Sequence, residues 1–321
     1  MAVRRLVLRH DQLLQPVQPF HFLGTVHKPS HFPAPVNRVK NDSLWFSLRF
    51  MGCLYGVRLR PGGEGGGVLL EVHAREPIDA GEAAVIAREV RYRFGMDLDL
   101  AGFRAIAQED PLLGPVEERW RGMRPSCAFS LYELLCITIV LQNTQASRSV
   151  QMLEALLGRF GTVVRFGGEK LSAFWTASEL AAVEEGELRN LKVGYRAKFF
   201  SRVSRFFEKH PSFEEEMRGL PSEAAGRRLR EIYGVGPATS WYLLFEGLKH
   251  LDAFDHVSLW EQKILSRLMF QKEFVAAEEI LAEAKKRWGQ WRMLAVHYLF
   301  EDMFWRRRHE PVEWLEPLIR L

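Results

Sequence analysis

Asp255 and His256 stand side by side shortly after a Gly234-Val235-Gly236 turn. A carboxylate next to an imidazole can activate water, move a proton or stabilise a developing positive charge. The two glycines around Val235 let backbone approach a ligand closely, because no Cβ stands in the way. Pro237 then opens a helix, whose first amides face outward and favour an anion such as phosphate. A helix C-cap followed by a proline-started helix would use the same residues. A third group, Gln142-Asn143-Thr144-Gln145, follows an apolar helix and gathers several amides in one turn. Such bifunctional groups suit the edges of unpaired bases. Asp255 also stands where an N-cap would start the next helix.

The elements that must position these groups change character near residue 95. Ser43 to Leu59 is rich in aromatic and branched residues, and Val68 to Val72 continues the strand pattern. The glycine-rich connection at 61–67 reads as a hairpin link, since it lacks the Lys and Ser/Thr of a phosphate loop. Asp79 to Phe94 is amphipathic, with Ala83, Ile86, Val90 and Tyr92 available for packing. Beyond it almost everything is helical in pattern. Helices are expected at Phe129–Leu141, Ser147–Phe160, Ser178–Glu185, Tyr195–Lys209 and Ser222–Tyr233, and at Pro237–Leu248, Ser258–Met269, Val275–Arg287 and Trp291–Phe304. The expected fold class is α+β: a small antiparallel sheet domain with a packing helix at 1–95, then a mainly helical region at 96–321.

Composition agrees with a folded chain that meets an anionic partner. The chain has 321 residues, 47% of them hydrophobic, a formal charge of +4 and a pI near 9.0. Many soluble proteins reach such values without binding nucleic acid. There is no apolar run long enough for a membrane span and no secretory leader pattern at the start. Cys53, Cys127 and Cys136 form neither a disulfide framework nor a metal-ligand spacing, and cannot supply a four-cysteine iron–sulfur cluster. The expected setting is a reduced intracellular one, nucleoid-associated or cytoplasmic if prokaryotic, with no membrane contact. Nothing calls for an obligate oligomer, so a monomer is expected.

Taken in order, several blocks resemble the helix-hairpin-helix base-excision DNA glycosylases, particularly the alkylpurine and 8-oxoguanine branch. They are the run from Asp110 to Pro125, the polar block at 141–150, the segment at 192–200, the hairpin at 232–242 and the segment at 288–300. The N-terminal strands match that branch's sheet domain more loosely. The resemblance implies a helical core divided in two, whose first and last parts share one subdomain. It implies double-stranded DNA with a damaged, purine base as substrate, and extrusion of the nucleotide before chemistry. Asn143 falls where a side chain fills the vacated stack, Arg148 where an arginine faces the orphaned base, and Tyr195 where a side chain helps kink the duplex. Gly234, Val235, Gly236, Lys192 and Arg196 fall in the phosphate-contacting region. Hairpin carbonyls would hold a Na⁺ or K⁺ ion, and no other cofactor is required.

Catalysis is where the chain departs from that pattern. The position of the family's lyase lysine is Ala238, so base–sugar hydrolysis without a dedicated lyase lysine is expected. Anchoring on Trp260 places the usual aspartate at His256, with Asp255 just before it. Three readings remain open: Asp255 as the carboxylate, a mechanism centred on His256, or a noncatalytic damaged-DNA binding protein on the same scaffold. Trp241 and Trp260 are aromatic candidates for a base pocket, where an electron-poor alkylated purine would gain from a π-face. His297 and Arg306-Arg307-Arg308 stand near the end of the match.

Overall fold

The computed structural model describes residues 3–63 and 65–318; Glu64, in the glycine-rich connection, and Met1 and Ala2, at the arginine-containing start, lie outside the described residues. Eight strands are present among the described residues: β1 (Val3–Arg5), β2 (Val7–Leu14), β3 (Asn37–Lys40), β4 (Ser43–Phe50), β5 (Cys53–Pro61), β6 (Val68–Ala74), β7 (Thr162–Phe166) and β8 (Glu169–Ala173). The main sheet is antiparallel in the order β2-β6-β5-β4-β3. Period-two alternation in β5 and β6 turns Val57, Leu59, Val68, Leu70 and Val72 inward. The Ala80–Arg93 helix lays Ile86, Ala87 and Val90 on this face. Asp79, expected as the first helical residue, is its N-cap and accepts from the Glu82 amide at 2.8 Å.

A second sheet was not expected. β1 pairs parallel with β7, and β7 pairs antiparallel with β8, so two strands inside the helical region return to the N-terminal edge. The signal was present in Thr162-Val163-Val164 followed by a Gly167-Gly168 turn with positive φ at both glycines. Phe166, Val164 and Leu171 pack there against Trp45.

The helical part has two cores. One gathers Leu131–Val140, Leu153–Leu157, Phe200, Leu229, Val235 and Leu243. The other joins Leu100–Met123 to Phe245–Leu315, so the two ends of the helical region pack together. The Leu131–Leu141 helix is buried nearly all round and starts in a Ser130/Glu133 capping box. The expected Ser178–Glu185 helix is instead two short ones, Ala177–Ala181 and Glu185–Asn190. The expected Pro237–Leu248 helix is α-helical to Tyr242 and then a π turn over Leu243–Gly247. That turn straddles the two cores: Leu243 and Leu244 enter one and Phe245 the other.

The domains are tied by ion pairs. Glu89 of the Ala80–Arg93 helix accepts from Arg93 and, at 2.7 and 2.8 Å, from Arg218 in the Phe213–Arg218 helix. No described helix is long and apolar enough to cross a membrane.

Candidate functional site

The hairpin is built between the Ser222–Arg230 and Pro237–Tyr242 helices. Ile232 and Val235 are buried and anchor the turn, which leaves Gly234 and Gly236 partly accessible. Gly234 has φ +88°, and a Cβ there would lie 2.5 Å from Phe199 Cε1 and closer still to Cδ1. Conformation and packing both require glycine at this position. Gly236 has ordinary φ, and a Cβ there would meet nothing within 4 Å. Its role is therefore exposure of backbone rather than fit. Pro237 lacks an amide, so the first-turn donors facing outward are those of Ala238 and Thr239.

The polar block at 142–148 and the segment at 192–196 converge on this turn. Gln142 Nε2 donates to the Gly234 carbonyl at 3.3 Å. Arg196 Nε donates to the Ile139 carbonyl at 3.1 Å, and its Nη2 donates to that of Gln142. Arg196 is thus buried and donates to carbonyls at the end of the Leu131–Leu141 helix, whereas a phosphate contact needs it in solvent. Arg148 Nη2 donates to the Lys192 carbonyl at 2.7 Å and its Nη1 to Gln151 at 3.0 Å. Asn143 and Lys192 both adopt left-handed backbone, with φ of 49° and 59°, and both are exposed. Tyr195 is 47% exposed and sits edge-on to Phe199, which packs in turn on Tyr233. One face therefore carries Asn143, Arg148, Lys192, Tyr195 and the hairpin glycines.

The Leu251–Ser258 segment is fixed from both sides. The Leu251 carbonyl accepts from the Met293 and Leu294 amides at 3.0 and 3.3 Å, at the start of the Arg292–Arg307 helix. Phe254 and Val257 are buried, which turns Asp255 and His256 between them outward. The Asp255 carboxylate is 75% exposed and accepts from Arg292 Nη2 at 3.1 Å. It does not cap the following helix, because Ser258 does so in a capping box with Glu261. His256 is half-buried. Arg292 was not singled out by sequence, since it lies 37 positions from Asp255. Trp241 is half-buried beside Phe254, with its indole Nε1 buried and unpartnered, and Trp260 is 43% exposed and edge-on to Phe300.

A largely buried polar cluster joins the 28–31 segment to the π turn and the Arg292–Arg307 helix. His31 Nε2 is 3.3 Å from Glu246 Oε1 in the π turn and 3.7 Å from Glu301 Oε1. His297, one turn before Glu301, is 2.9 Å from Lys28 Nζ, which also donates to the Arg124 carbonyl at 3.0 Å. Burial, reinforced by the Lys28, His31 and Lys249 charges, holds the His297 imidazole well below its ordinary range. Burial also brings Lys28 down to about 8, against the pull of Glu301 and Glu246. His31, His297 and Glu301 each place one ligand atom within 4.8 Å of the others, a set able to coordinate a metal ion. Two signals were legible: His297 and Glu301 at i, i+4 in an apolar run, and Glu246 in another.

No family model matches the chain. It is 24% identical over 231 residues, 71% of this chain and 75% of the other, to the DNA-3-methyladenine glycosylase of Bacillus subtilis (strain 168). The 3-methyladenine DNA-glycosylase of Archaeoglobus fulgidus superposes with a TM-score of 0.77 at 18% identity, covering 94% of this chain and 99% of that one. The chain shares the fold of this glycosylase. The 8-oxoguanine glycosylase/lyase of Clostridium acetobutylicum in complex with dsDNA containing cytosine opposite 8-oxoG aligns with a TM-score of 0.68 at 16% identity, covering 95% of this chain and 99% of that one. The likeness in fold spans the sheet domain as well as the helical core.

Proposed function

We propose that this protein is a DNA glycosylase that removes a damaged base from double-stranded DNA by hydrolysis, without a lyase lysine. The observation that carries this reading is the exposed Asp255 carboxylate, held by Arg292 on the same helical region as a hairpin whose Gly236 backbone is open to a phosphate. As the base leaves, positive charge develops on the sugar, and Asp255 stabilises it and orients water. A half-buried imidazole is the weaker group for that task, because its protonated form would repel the developing cation. Ala238 offers no amine for a Schiff base.

Extrusion of the nucleotide costs about a few kcal/mol. Asn143 fills the gap, Arg148 faces the orphaned partner and Tyr195 wedges the opposite side. The hairpin glycines and Lys192 hold phosphate, and this holds register without reading sequence. A Na⁺ or K⁺ ion at the hairpin carbonyls would assist; the Gly234 carbonyl is shared with Gln142. A damaged purine is the preferred substrate class, stacked on Trp241 or Trp260. The test is base release from duplexes carrying alkylated, oxidised and deaminated bases, assayed before and after alkali. Release with strand breakage only after alkali supports the reading. Breakage without alkali would refute the hydrolytic assignment. Tight abasic-DNA binding with no release from any lesion would make the protein a damage binder.

A further inference from the structure

We infer that His31, His297, Glu301 and Glu246 form a binding site for a borderline divalent cation of the Zn²⁺ class, clasping the 28–31 segment to the Leu243–Gly247 π turn and the Arg292–Arg307 helix. The donor set of two imidazoles and two carboxylates suits such an ion. A tetrahedral ion with bonds of about 2.0–2.1 Å sets its ligand atoms about 3.3–3.4 Å apart. His31 Nε2 already lies 3.3 Å from Glu246 Oε1 and 3.7 Å from Glu301 Oε1, and His31, His297 and Glu301 each place a ligand atom within 4.8 Å of the other two.

A second observation points the same way. Glu246 Oε2 and Glu301 Oε2 are buried without a hydrogen-bond partner among the described residues, on residues only 4% and 0% exposed. Buried carboxylate oxygens left unpaired are costly, and a cation bound between them removes that cost. Ser30 donates to Glu301 Oε1, and Lys249 Nζ goes to the Glu246 backbone carbonyl at 2.6 Å, so neither fills the orphaned positions.

Lys28 is the group that competes. Its Nζ lies 2.9 Å from His297 Nε2 and 3.0 Å from the Arg124 carbonyl. A bound ion takes the His297 nitrogen, and Lys28 keeps the carbonyl. The clasp ties three distant parts of the chain: a loop of the N-terminal domain, the π turn after the hairpin, and the helix that carries Arg292.

Tag-free full-length protein, stripped with chelator and dialysed, is titrated with Zn²⁺ and separately with Mg²⁺, reading stoichiometry by metal analysis and thermal midpoint by circular dichroism. The expected result is one tightly held Zn²⁺ per chain, a raised midpoint with Zn²⁺ and no response to Mg²⁺. Glu301→Gln and His297→Ala should each weaken Zn²⁺ binding at least tenfold. Lys28→Met removes the competitor and leaves the ligands intact, so it should bind Zn²⁺ more tightly than wild type. Folded wild type that retains no Zn²⁺, or Lys28→Met protein that binds none, would show that the cluster is only an internal ion-pair network.

Discussion

Gly234→Ala and Gly236→Ala separate fit from exposure in the hairpin. At Gly234 the φ of +88° lies in the left-handed region, and the added methyl would lie 2.5 Å from Phe199 Cε1 and nearer to Cδ1. Holding a non-glycine residue in such backbone costs about 1–3 kcal/mol. Forcing a methyl into a packed contact costs about 1–3 kcal/mol more. Gly234→Ala should therefore destabilise the protein by roughly 2–6 kcal/mol. At Gly236 the backbone is ordinary and the methyl enters open space, so stability should stay within about 0.5 kcal/mol of wild type. The same methyl stands where phosphate would meet backbone, so abasic-duplex affinity should fall in Gly236→Ala. Urea unfolding gives the stability difference, and fluorescence anisotropy with an abasic duplex gives the affinity. A Phe199→Ala background should recover part of the Gly234→Ala loss, because the clash goes and the backbone strain stays. Equal stability of the two glycine variants would refute this account of the turn.

Three further expectations follow from the ion pairs. Burial pushes the Glu89 carboxyl up, but the Arg218 hydrogen bond and the Arg93 charge outweigh it and hold it at about 2, below its ordinary value of 4.5. A depressed carboxyl contributes stability above its unfolded pKa and loses it as pH falls toward the folded value. Up to about 3 kcal/mol should therefore disappear between roughly pH 4.5 and 2. Glu89→Gln, which strands Arg93 and Arg218, should cost about 3–5 kcal/mol at neutral pH and flatten that acid limb, as read by urea midpoints against pH. Arg196→Met removes charge-assisted bonds to two carbonyls and should cost about 1.5–3 kcal/mol, with a matching loss of abasic-duplex affinity as the 142–148 turn loosens. Arg292→Gln breaks an exposed pair, so stability should change by less than about 1 kcal/mol. Base release should fall, because Asp255 loses the hydrogen bond that holds its carboxylate in place.

The parts of the fold that sequence made legible were those set by local periodicity and caps. Asp79 and Pro237 stood at expected helix starts because end signals are local, whereas Ser130 caps a helix expected to begin at Phe129. The hairpin was readable because Gly234 needs positive φ wherever it sits. β7 and β8 escaped notice although the Gly167-Gly168 turn advertised their hairpin; the pairing of β7 with β1 that holds the hairpin in a sheet is nonlocal. The π turn at Leu243–Gly247 has no residue signature that separates it from an α-helix. Within the site, Asp255, Asn143 and Tyr195 could be named from sequence, but their supports could not. Arg292 reaches Asp255, and Arg196 turns inward to Ile139 and Gln142, only through tertiary packing. Lys28 meets His297, and His31 meets Glu246 and Glu301, across more than two hundred residues, which no spacing rule connects.

The most direct measurement of the central proposal is single-turnover base release by wild type, Asp255→Asn and His256→Ala on the lesion duplex that wild type cleaves fastest. Folding and abasic-duplex affinity of each protein are checked alongside. The account predicts that Asp255→Asn binds the abasic duplex like wild type and loses base release by at least about a hundredfold, while His256→Ala keeps most of it. Equal release by wild type and Asp255→Asn, or selective loss in His256→Ala, would contradict it.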